Sequence, residues 1–352
     1  MKNILSRLAP ALLAFSAAFS IAACSRGGAE RAAPVVGEVN VYTARHYDSD
    51  LAIYDAFTAR TGIRVNIIEA GGDALIERLA READASPADV FITADAGMLW
   101  RAEQRDVFQP ITDSAILDRV PERFRDPENE WVALSKRARI IIYDKTKGVP
   151  EGLATYDDLA APALKGKVCV RSSTNVYNQS LLAGLIEHEG LDKAEAWARG
   201  VVANFARKPE GNDTSQIEAV AAGQCRVSVV NSYYLARYIG SDDAKMRAIG
   251  EKIGVIFPNQ QTTGTHINIS GAGVVRYAPN SENATKLIAF LLSDEAQQAF
   301  AAGNNEYPVV AGVNAVGPVA SLGEFRPDTI DMSALGAHQT EAVKIFDRAG
   351  WR

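Results

Sequence analysis

Four tyrosine residues stand in three similar places in the sequence, each where an apolar, strand-like run ends and a helical pattern begins. These residues are Tyr47, Tyr177, Tyr233 and Tyr234. In open α/β sheets, ligands bind beyond the carboxyl ends of the strands, so the four phenols could converge on one point. A phenolate is a hard, anionic oxygen donor, and hard donors suit highly charged metal ions. The pattern therefore predicts a site for Fe3+.

Charge and proton balance extend this prediction to neighbouring residues. A free phenol has a pKa of about 10, so a metal ion must displace its proton, much as metal ions depress the pKa of bound water. His46 could add an imidazole nitrogen, which also suits iron. Four phenolates on Fe3+ leave a net negative charge, which predicts an arginine as a compensating cation or as the anchor of a bound anion. The candidates are Arg45, Arg137, Arg139 and Arg171, and Arg45 is the nearest of them to Tyr47 in sequence.

The alternative to a metal site is that each tyrosine has only a structural role. Single tyrosines are commonly buried in a protein core with the hydroxyl group hydrogen-bonded. Three junctions that share the same pattern are harder to explain in that way. The sequence contains no Gly-x-Ser-x-Gly or His-Glu-x-x-His motif and no cluster of metal-binding cysteines. We therefore expect a binding protein and not an enzyme.

The elements that must position the tyrosines alternate between short apolar runs and helical patterns, which predicts an α/β fold with mostly parallel sheets. The runs that precede the tyrosines cover residues 39–43, 168–170 and 229–230. Two longer runs, at 138–143 and 265–275, indicate crossings between two halves of the protein. A mature chain of roughly 315 residues exceeds the usual limit for one hydrophobic core, so we expect two lobes.

The N-terminus carries a processing signal. Residues 1–23 begin with Lys2 and Arg7, continue with an apolar stretch and end before Cys24, and Ile21-Ala22-Ala23-Cys24 resembles the lipobox in which the cysteine is lipidated. An ordinary secretory signal is the alternative. Residues 24–37 then indicate a flexible tether. Removing residues 1–23 changes the formal charge from −6 to −8, which argues against nucleic acid as a partner.

Two further cysteines, Cys169 and Cys225, each stand eight residues before a tyrosine, Tyr177 and Tyr233. If the two strands are parallel neighbours, the thiols lie side by side. An exported protein is in an oxidising compartment, so a disulfide is one interpretation, and two small buried thiols are the other.

The mature chain resembles the ferric-iron-binding substrate proteins of bacterial ABC transporters. The resemblance covers nearly all of residues 38–352 and is most specific at Ala44-Arg45-His46-Tyr47 and at residues 170–180, 231–235 and 264–273. It implies a type 2 periplasmic-binding-protein fold, in which two α/β lobes joined by β-crossings close on a ligand in the cleft. The lobes would comprise residues 38–137 with 265–315 and residues 138–264 with 316–352.

The same resemblance implies roles for individual residues and partners. The four tyrosines match the family's Fe3+ ligands, and His46 matches a histidine that is a ligand in some members only. Carbonate or another synergistic anion completes the site in some relatives, with Arg45 or Arg137 as its charge partner here. The implied partner is an ABC permease, and the implied state is a periplasmic monomer with a lipid anchor in a membrane. A binding protein for an organic cation or oxyanion, or an exported iron enzyme, are the alternatives.

Overall fold

The computed structural model describes residues 35–352. The predicted signal peptide, the lipidation site at Cys24 and most of the predicted tether lie outside these residues. Within the described part of the chain, no helix is both long enough and apolar enough to cross a membrane.

Strands and helices alternate along the described chain, as predicted. The strands are β1 Gly37–Thr43, β2 Ile63–Glu69, β3 Val90–Thr93, β4 Phe108–Gln109, β5 Val132–Asp144, β6 Val168–Cys169, β7 Val227–Asn231, β8 Ile253–Ile256, β9 Ile267–Val275 and β10 Tyr307–Pro308. The helices are α1 Ser49–Thr61, α2 Gly72–Glu82, α3 Ala96–Glu103, α4 Ser114–Leu117, α5 Val176–Glu189, α6 Leu191–Ala203, α7 Asp213–Ala221, α8 Ser232–Ile239, α9 Ala244–Lys252, α10 Ser281–Leu291, α11 Asp294–Asn304, α12 Ser333–Ala337 and α13 Gln339–Ala349.

The strands form one continuous arrangement in the order β2-β1-β3-β9-β5-β7-β6, with β10 and β8 paired to β5 and β4 paired to β9. The α/β fold class is confirmed, but the sheet is mixed and not mostly parallel. Parallel pairing is confined to β1 with β2 and β3 and to β6 with β7. The other pairs are antiparallel because they involve β5 or β9, the two runs that were predicted to cross between the halves.

The long strand β5 links the two halves of the arrangement. Along its length it pairs with β9 at Val132 to Ala138 and with β7 at Arg139 to Tyr143. Most of its side chains are buried, including Leu134, Ile140 and Ile142, because helices cover both faces of the sheet. Its central residues therefore lie between the two groups of elements that carry the tyrosines.

Buried apolar side chains gather in three clusters. One contains Val41, Phe57 and Ile92 with residues of β9 and α10, and it also includes Leu335 of α12. The other two pack on β5, β6 and β7, one of them with α13. Ideal burial of a large apolar side chain stabilises a fold by about 1.5–3 kcal/mol, so these clusters fix the junctions from which the tyrosines project. The lobe boundaries given above stay a prediction.

Cys169 and Cys225 are joined in a disulfide, with Cα atoms 5.8 Å apart. Cys169 ends β6, which pairs in parallel with β7, and Cys225 lies just before β7. The bond therefore links the two strands that lead to Tyr177 and Tyr233.

Candidate metal site

The four tyrosines line one cavity of about 470 Å³. His46 and Arg45 line the same cavity, as do Arg237 and residues of the α11 end. Three segments that lie far apart in sequence thus meet at one place, as the strand-to-helix pattern predicts. The cavity is bounded by Ala44, Arg45, His46, Tyr47, Asp48, Ser49, Ala94, Tyr177, Tyr233, Tyr234, Arg237, Gly303 and Asn304.

Tyr47 is in the loop between β1 and α1 and is half-buried. Its ring meets the ring of Tyr233 edge-on, with centroids 6.3 Å apart. Burial raises the pKa of Tyr47, and the buried carboxylate of Glu306 raises it further. Without a metal ion, this phenol is therefore protonated at neutral pH.

Tyr177 begins α5, where the side chain of Asn175 caps the helix by accepting a hydrogen bond from the Tyr177 amide at 3.2 Å. The predicted strand before it is shorter than expected, because Asn178 donates to the carbonyls of Arg171 and Ser172 and turns the chain. Burial also raises the pKa of Tyr177, and the nearby Arg137 opposes this rise.

Tyr233 and Tyr234 begin α8, and their rings lie 4.3 Å apart between centroids. The Tyr233 hydroxyl donates to the Tyr177 hydroxyl at 3.2 Å, so the two junctions are in direct contact. Burial raises the pKa of Tyr233 well above its ordinary value, with the neighbouring phenols of Tyr177 and Tyr47 adding to the rise. The positive ends of the α5 and α8 helix dipoles oppose this rise in pKa, because they stabilise the negative charge of a phenolate.

His46 is on the exposed side of the cavity. Its Nδ1 pairs with the Glu69 carboxylate, and its side chain keeps 57% of its accessible surface. The other ring nitrogen, Nε2, does not take part in this contact and is therefore the one available to a metal ion.

The two predicted charge partners differ in their surroundings. The guanidinium of Arg45 is 4.8 Å from the ring centroid of Tyr47, but it already pairs with Asp50 at 2.8 Å and Glu306 at 3.0 Å. Burial alone would lower the pKa of Arg45, and the two carboxylates more than offset this and raise it. Arg45 therefore stabilises the loop that carries Tyr47. Because two carboxylates already neutralise its charge, it is poorly suited to bind an anion.

Arg137 of β5 has almost no solvent exposure and few partners. Its Nη2 donates to the Ala94 carbonyl and is 3.9 Å from the Asp95 carboxylate, while Nε and Nη1 are buried with no hydrogen-bond partner among the described residues. The guanidinium lies 5.5 Å from the Tyr177 ring centroid. Burial acts to lower the pKa of Arg137, but Tyr177 and Tyr233 outweigh it and raise the value. Arg137 is not among the residues that line the cavity, but its guanidinium group is beside Tyr177, which does line it. Buried donors without a described partner suit an anion.

The other two candidate arginines, Arg139 and Arg171, lie 5.9 Å and 5.3 Å from the Tyr177 ring centroid. Both donate to Asp213, at 2.8 Å and 3.1 Å, so one carboxylate holds both guanidinium groups beside the phenol. Like Arg137, neither of them lines the cavity, but their shared carboxylate distinguishes them from Arg137.

Arg237 is a cavity residue that sequence reasoning missed. Its guanidinium lies 5.4 Å from the ring centroid of Tyr47, 5.1 Å from that of Tyr233 and 5.5 Å from that of Tyr234. The signal was present in the spacing, because residues three and four positions apart share one face of a helix and Arg237 follows Tyr234 and Tyr233 at those spacings.

Among residues 35–352, no group of three or more histidine, cysteine, aspartate or glutamate side chains is placed to hold a metal ion. The cavity contains four phenol oxygen atoms, and the side chains of Asp48, Ser49 and Asn304 also line it. Guanidinium groups lie beside the phenol rings. This arrangement can bind a hard, highly charged cation, and it can hold an anion beside that cation through Arg137.

The fold and the cavity define an α/β solute-binding protein of the periplasmic type. The chain belongs to the family described as bacterial extracellular solute-binding proteins, whose family model matches residues 85–322. Among its relatives, iron uptake protein A1 of Synechocystis is 50% identical over 315 residues, which cover 90% of this chain and 88% of that protein. The major ferric iron-binding protein of Neisseria meningitidis is 28% identical over 91% of this chain and 95% of its own length.

Solved structures show the same likeness. The structure of the Trichodesmium protein called IdiA or FutA, in complex with iron and citrate ligands, has 52% sequence identity to this chain and a TM-score of 0.86. The match covers 90% of this chain and 100% of that one. These comparisons confirm the resemblance to ferric-iron-binding substrate proteins that the sequence predicted.

Proposed function

We propose that this protein captures Fe3+ in the periplasm and delivers it to an ABC permease. One observation carries the proposal: four phenols from three strand-to-helix junctions line a single cavity that guanidinium groups surround. Hard oxygen donors bind a trivalent ion, and the arginines offset the negative charge that four phenolates create. The iron-related names of the relatives support the same assignment.

The ligands divide between two groups of elements. Tyr177, Tyr233 and Tyr234 begin helices that pack with β6 and β7, whereas His46 and Tyr47 come from the loop after β1. We assign the first three tyrosines to initial capture and Tyr47, with His46 as the fifth ligand, to closure across the cleft. Ligands that come together only in the closed form make metal binding favour that form, and the permease would then bind the closed protein.

Two observations support a synergistic anion beside the iron. Its volume of about 470 Å³ is far larger than one metal ion requires. Arg137 has two buried nitrogen atoms with no partner among residues 35–352. A carboxylate or carbonate bound to the iron would satisfy these donors. The Trichodesmium structure contains citrate together with iron. Arg137 and Arg237 are thus the charge partners of the site, and Arg45 is a support for Tyr47.

The remaining parts of the proposal concern the whole molecule. Cleavage before Cys24 and lipidation of that residue would tether a monomeric carrier to a membrane, with its two lobes formed as the sequence predicts. No catalytic step is assigned, because iron capture and release require only ligand exchange.

Visible spectroscopy tests the assignment of the phenols. The protein loaded with ferric citrate in air should be coloured through phenolate-to-iron charge transfer, and the double variant Tyr233→Phe, Tyr234→Phe should lose the colour and the tight binding. Tyr238→Phe is the matched control, since Tyr238 is a buried tyrosine of the same helix whose hydroxyl donates to Glu218 at 2.8 Å, away from the cavity. A colourless wild-type protein that elemental analysis shows to be iron-free would refute the proposal. Calorimetry with sulfate, thiamine and spermidine would then identify an organic or oxyanion ligand.

A further inference from the structure

A second cavity, of about 560 Å³, lies on β5 and shares no lining residue with the metal cavity. Lys136, Tyr307 and Phe325 form its wall, and Asn314 and Glu324 are at its rim. Nothing in the proposed iron chemistry uses these residues. The cavity therefore needs an explanation of its own.

The alternation of side chains along two paired strands separates the two cavities. Lys136 of β5 lies opposite Tyr307 of β10. Their neighbours Ser135 and Glu306 turn the other way, where both bond to Arg45 behind Tyr47. Because successive residues of a strand point to opposite faces, Lys136 and Tyr307 are directed away from the metal site.

Lys136 is a half-buried cation that forms no ion pair with a carboxylate among residues 35–352. Its Nζ lies 5.3 Å from the ring centroid of Phe124. Burial, together with a smaller effect of Arg123, lowers the pKa of Lys136 to about 8, and no carboxylate among the described residues acts in the opposite direction. The charged groups around it are Arg123 and the exposed Glu324 at the rim. A half-buried ammonium group that lacks an acidic partner can gain from an anion that reaches it, because its charge is incompletely solvated.

Two of the other residues that line this cavity, Tyr307 and Phe325, are aromatic. Phe325 stacks on Phe257 with ring centroids 4.6 Å apart, and it meets the edge of Tyr307 at 5.2 Å. These contacts fix the orientation of the rings, which therefore give an ordered apolar surface to the cavity that Lys136 also lines. One cationic group beside such a surface is the usual composition of a small-molecule site.

We propose that this cavity binds a small organic carboxylate with an aromatic or aliphatic body. The carboxylate pairs with the Lys136 ammonium group, and the apolar body packs against Tyr307 and Phe325. The site is separate from the proposed iron site and stands whether or not the protein carries iron.

Benzoate and its neutral analogue benzamide are suitable probes for the full mature protein without iron. Calorimetry should detect benzoate binding and at least tenfold weaker binding of benzamide. Lys136→Met should weaken benzoate binding at least tenfold, while Lys286→Met, which removes an exposed lysine, should leave it unchanged. Near pH 8 the wild-type protein should also take up protons on binding benzoate, because the carboxylate favours the charged lysine.

Equal benzoate binding by Lys136→Met and wild-type protein would overturn the proposal, as would the absence of benzoate binding by the wild-type protein. Titration of the wild-type protein with benzoate, followed through the NMR signal of the Lys136 side chain, provides a readout that does not depend on the folding of a variant. A Lys136 signal that stays unchanged at saturating benzoate would also refute the assignment.

Discussion

Iron binding should release protons in a number set by the phenols that become ligands. The structure places four phenols around the cavity, and burial raises the pKa of Tyr47, Tyr177 and Tyr233. An ordinary phenol with a pKa of about 10 is protonated at pH 7, so each tyrosine ligand must lose one proton when iron binds. We therefore expect four protons per Fe3+ from the tyrosines.

This stoichiometry fixes the pH dependence of the affinity. With four protons released, the apparent association constant rises about ten-thousandfold per pH unit between pH 6 and pH 8, after correction for the iron donor. Each single Tyr→Phe variant that removes a ligand should release one proton fewer. Its association constant should then rise about a thousandfold per pH unit. The sign is unambiguous, because protons compete with the metal and acid must weaken binding.

The protons can be counted with a pH indicator in weakly buffered solution, with ferric nitrilotriacetate as the donor. Comparison with the variants under the same conditions cancels the protons that the donor itself takes up. Tyr238→Phe is the control, since it removes a buried phenol of α8 outside the cavity and should leave the count unchanged. His46→Ala in the same assay shows whether the imidazole contributes. The reasoning is refuted if Tyr177→Phe, Tyr233→Phe and Tyr238→Phe all release as many protons as the wild-type protein.

Three further predictions follow from single residues. Arg237→Gln removes a guanidinium group within 5.5 Å of three phenol rings, so iron affinity measured by citrate competition should fall about tenfold; an unchanged affinity would contradict its role in charge compensation. Reduction of Cys169–Cys225, which are 56 residues apart, should lower the free energy of unfolding by up to about 4 kcal/mol, as measured in urea, and no loss would argue against the bond. Lys136→Met should raise the free energy of unfolding by on the order of 1–3 kcal/mol at pH 7, because a lysine with a lowered pKa destabilises the folded protein. This destabilisation is complete below pH 8 and disappears as the pH rises to about 10.4, the pKa of lysine in the unfolded chain. An equal gain in stability at pH 7 and pH 10 would contradict that last prediction.

Local patterns in the sequence were enough to place the tyrosines at strand-to-helix junctions. The run 39–43, for example, ends as β1 at Thr43, and the periodic pattern after it becomes α1, so Tyr47 is placed at a strand-to-helix junction as expected. The same reasoning holds for Tyr233, where β7 passes directly into α8. Whether these junctions converge depends on the order of the strands in the sheet. We expected convergence because ligands bind beyond the carboxyl ends of the strands in open α/β sheets.

The surroundings of the tyrosines could not be predicted, because they depend on contacts between distant residues. Arg45 had the best position in sequence for charge compensation, yet Glu306, 261 residues later, pairs with it. Arg137 had no special position, and its importance comes from two buried nitrogen atoms without described partners. The mixed sheet was missed for a related reason, since a run of β-forming residues shows that a strand exists and not the direction of its neighbours.

With the phenols as the ligands proposed above, the balance of charge in the cavity would favour a trivalent ion. Removing a proton from an ordinary phenol at pH 7 costs about 4 kcal/mol, so four phenolates require about 16 kcal/mol before any burial is considered. Burial adds to this amount at Tyr47, Tyr177 and Tyr233. Only strong metal–oxygen bonding offsets so large a term, and the Coulomb attraction of a phenolate to a trivalent ion is about one and a half times that to a divalent ion at the same distance. The guanidinium groups of Arg137 and Arg237 repel a bare cation but stabilise the anionic complex, so they favour the ion that can displace the most protons.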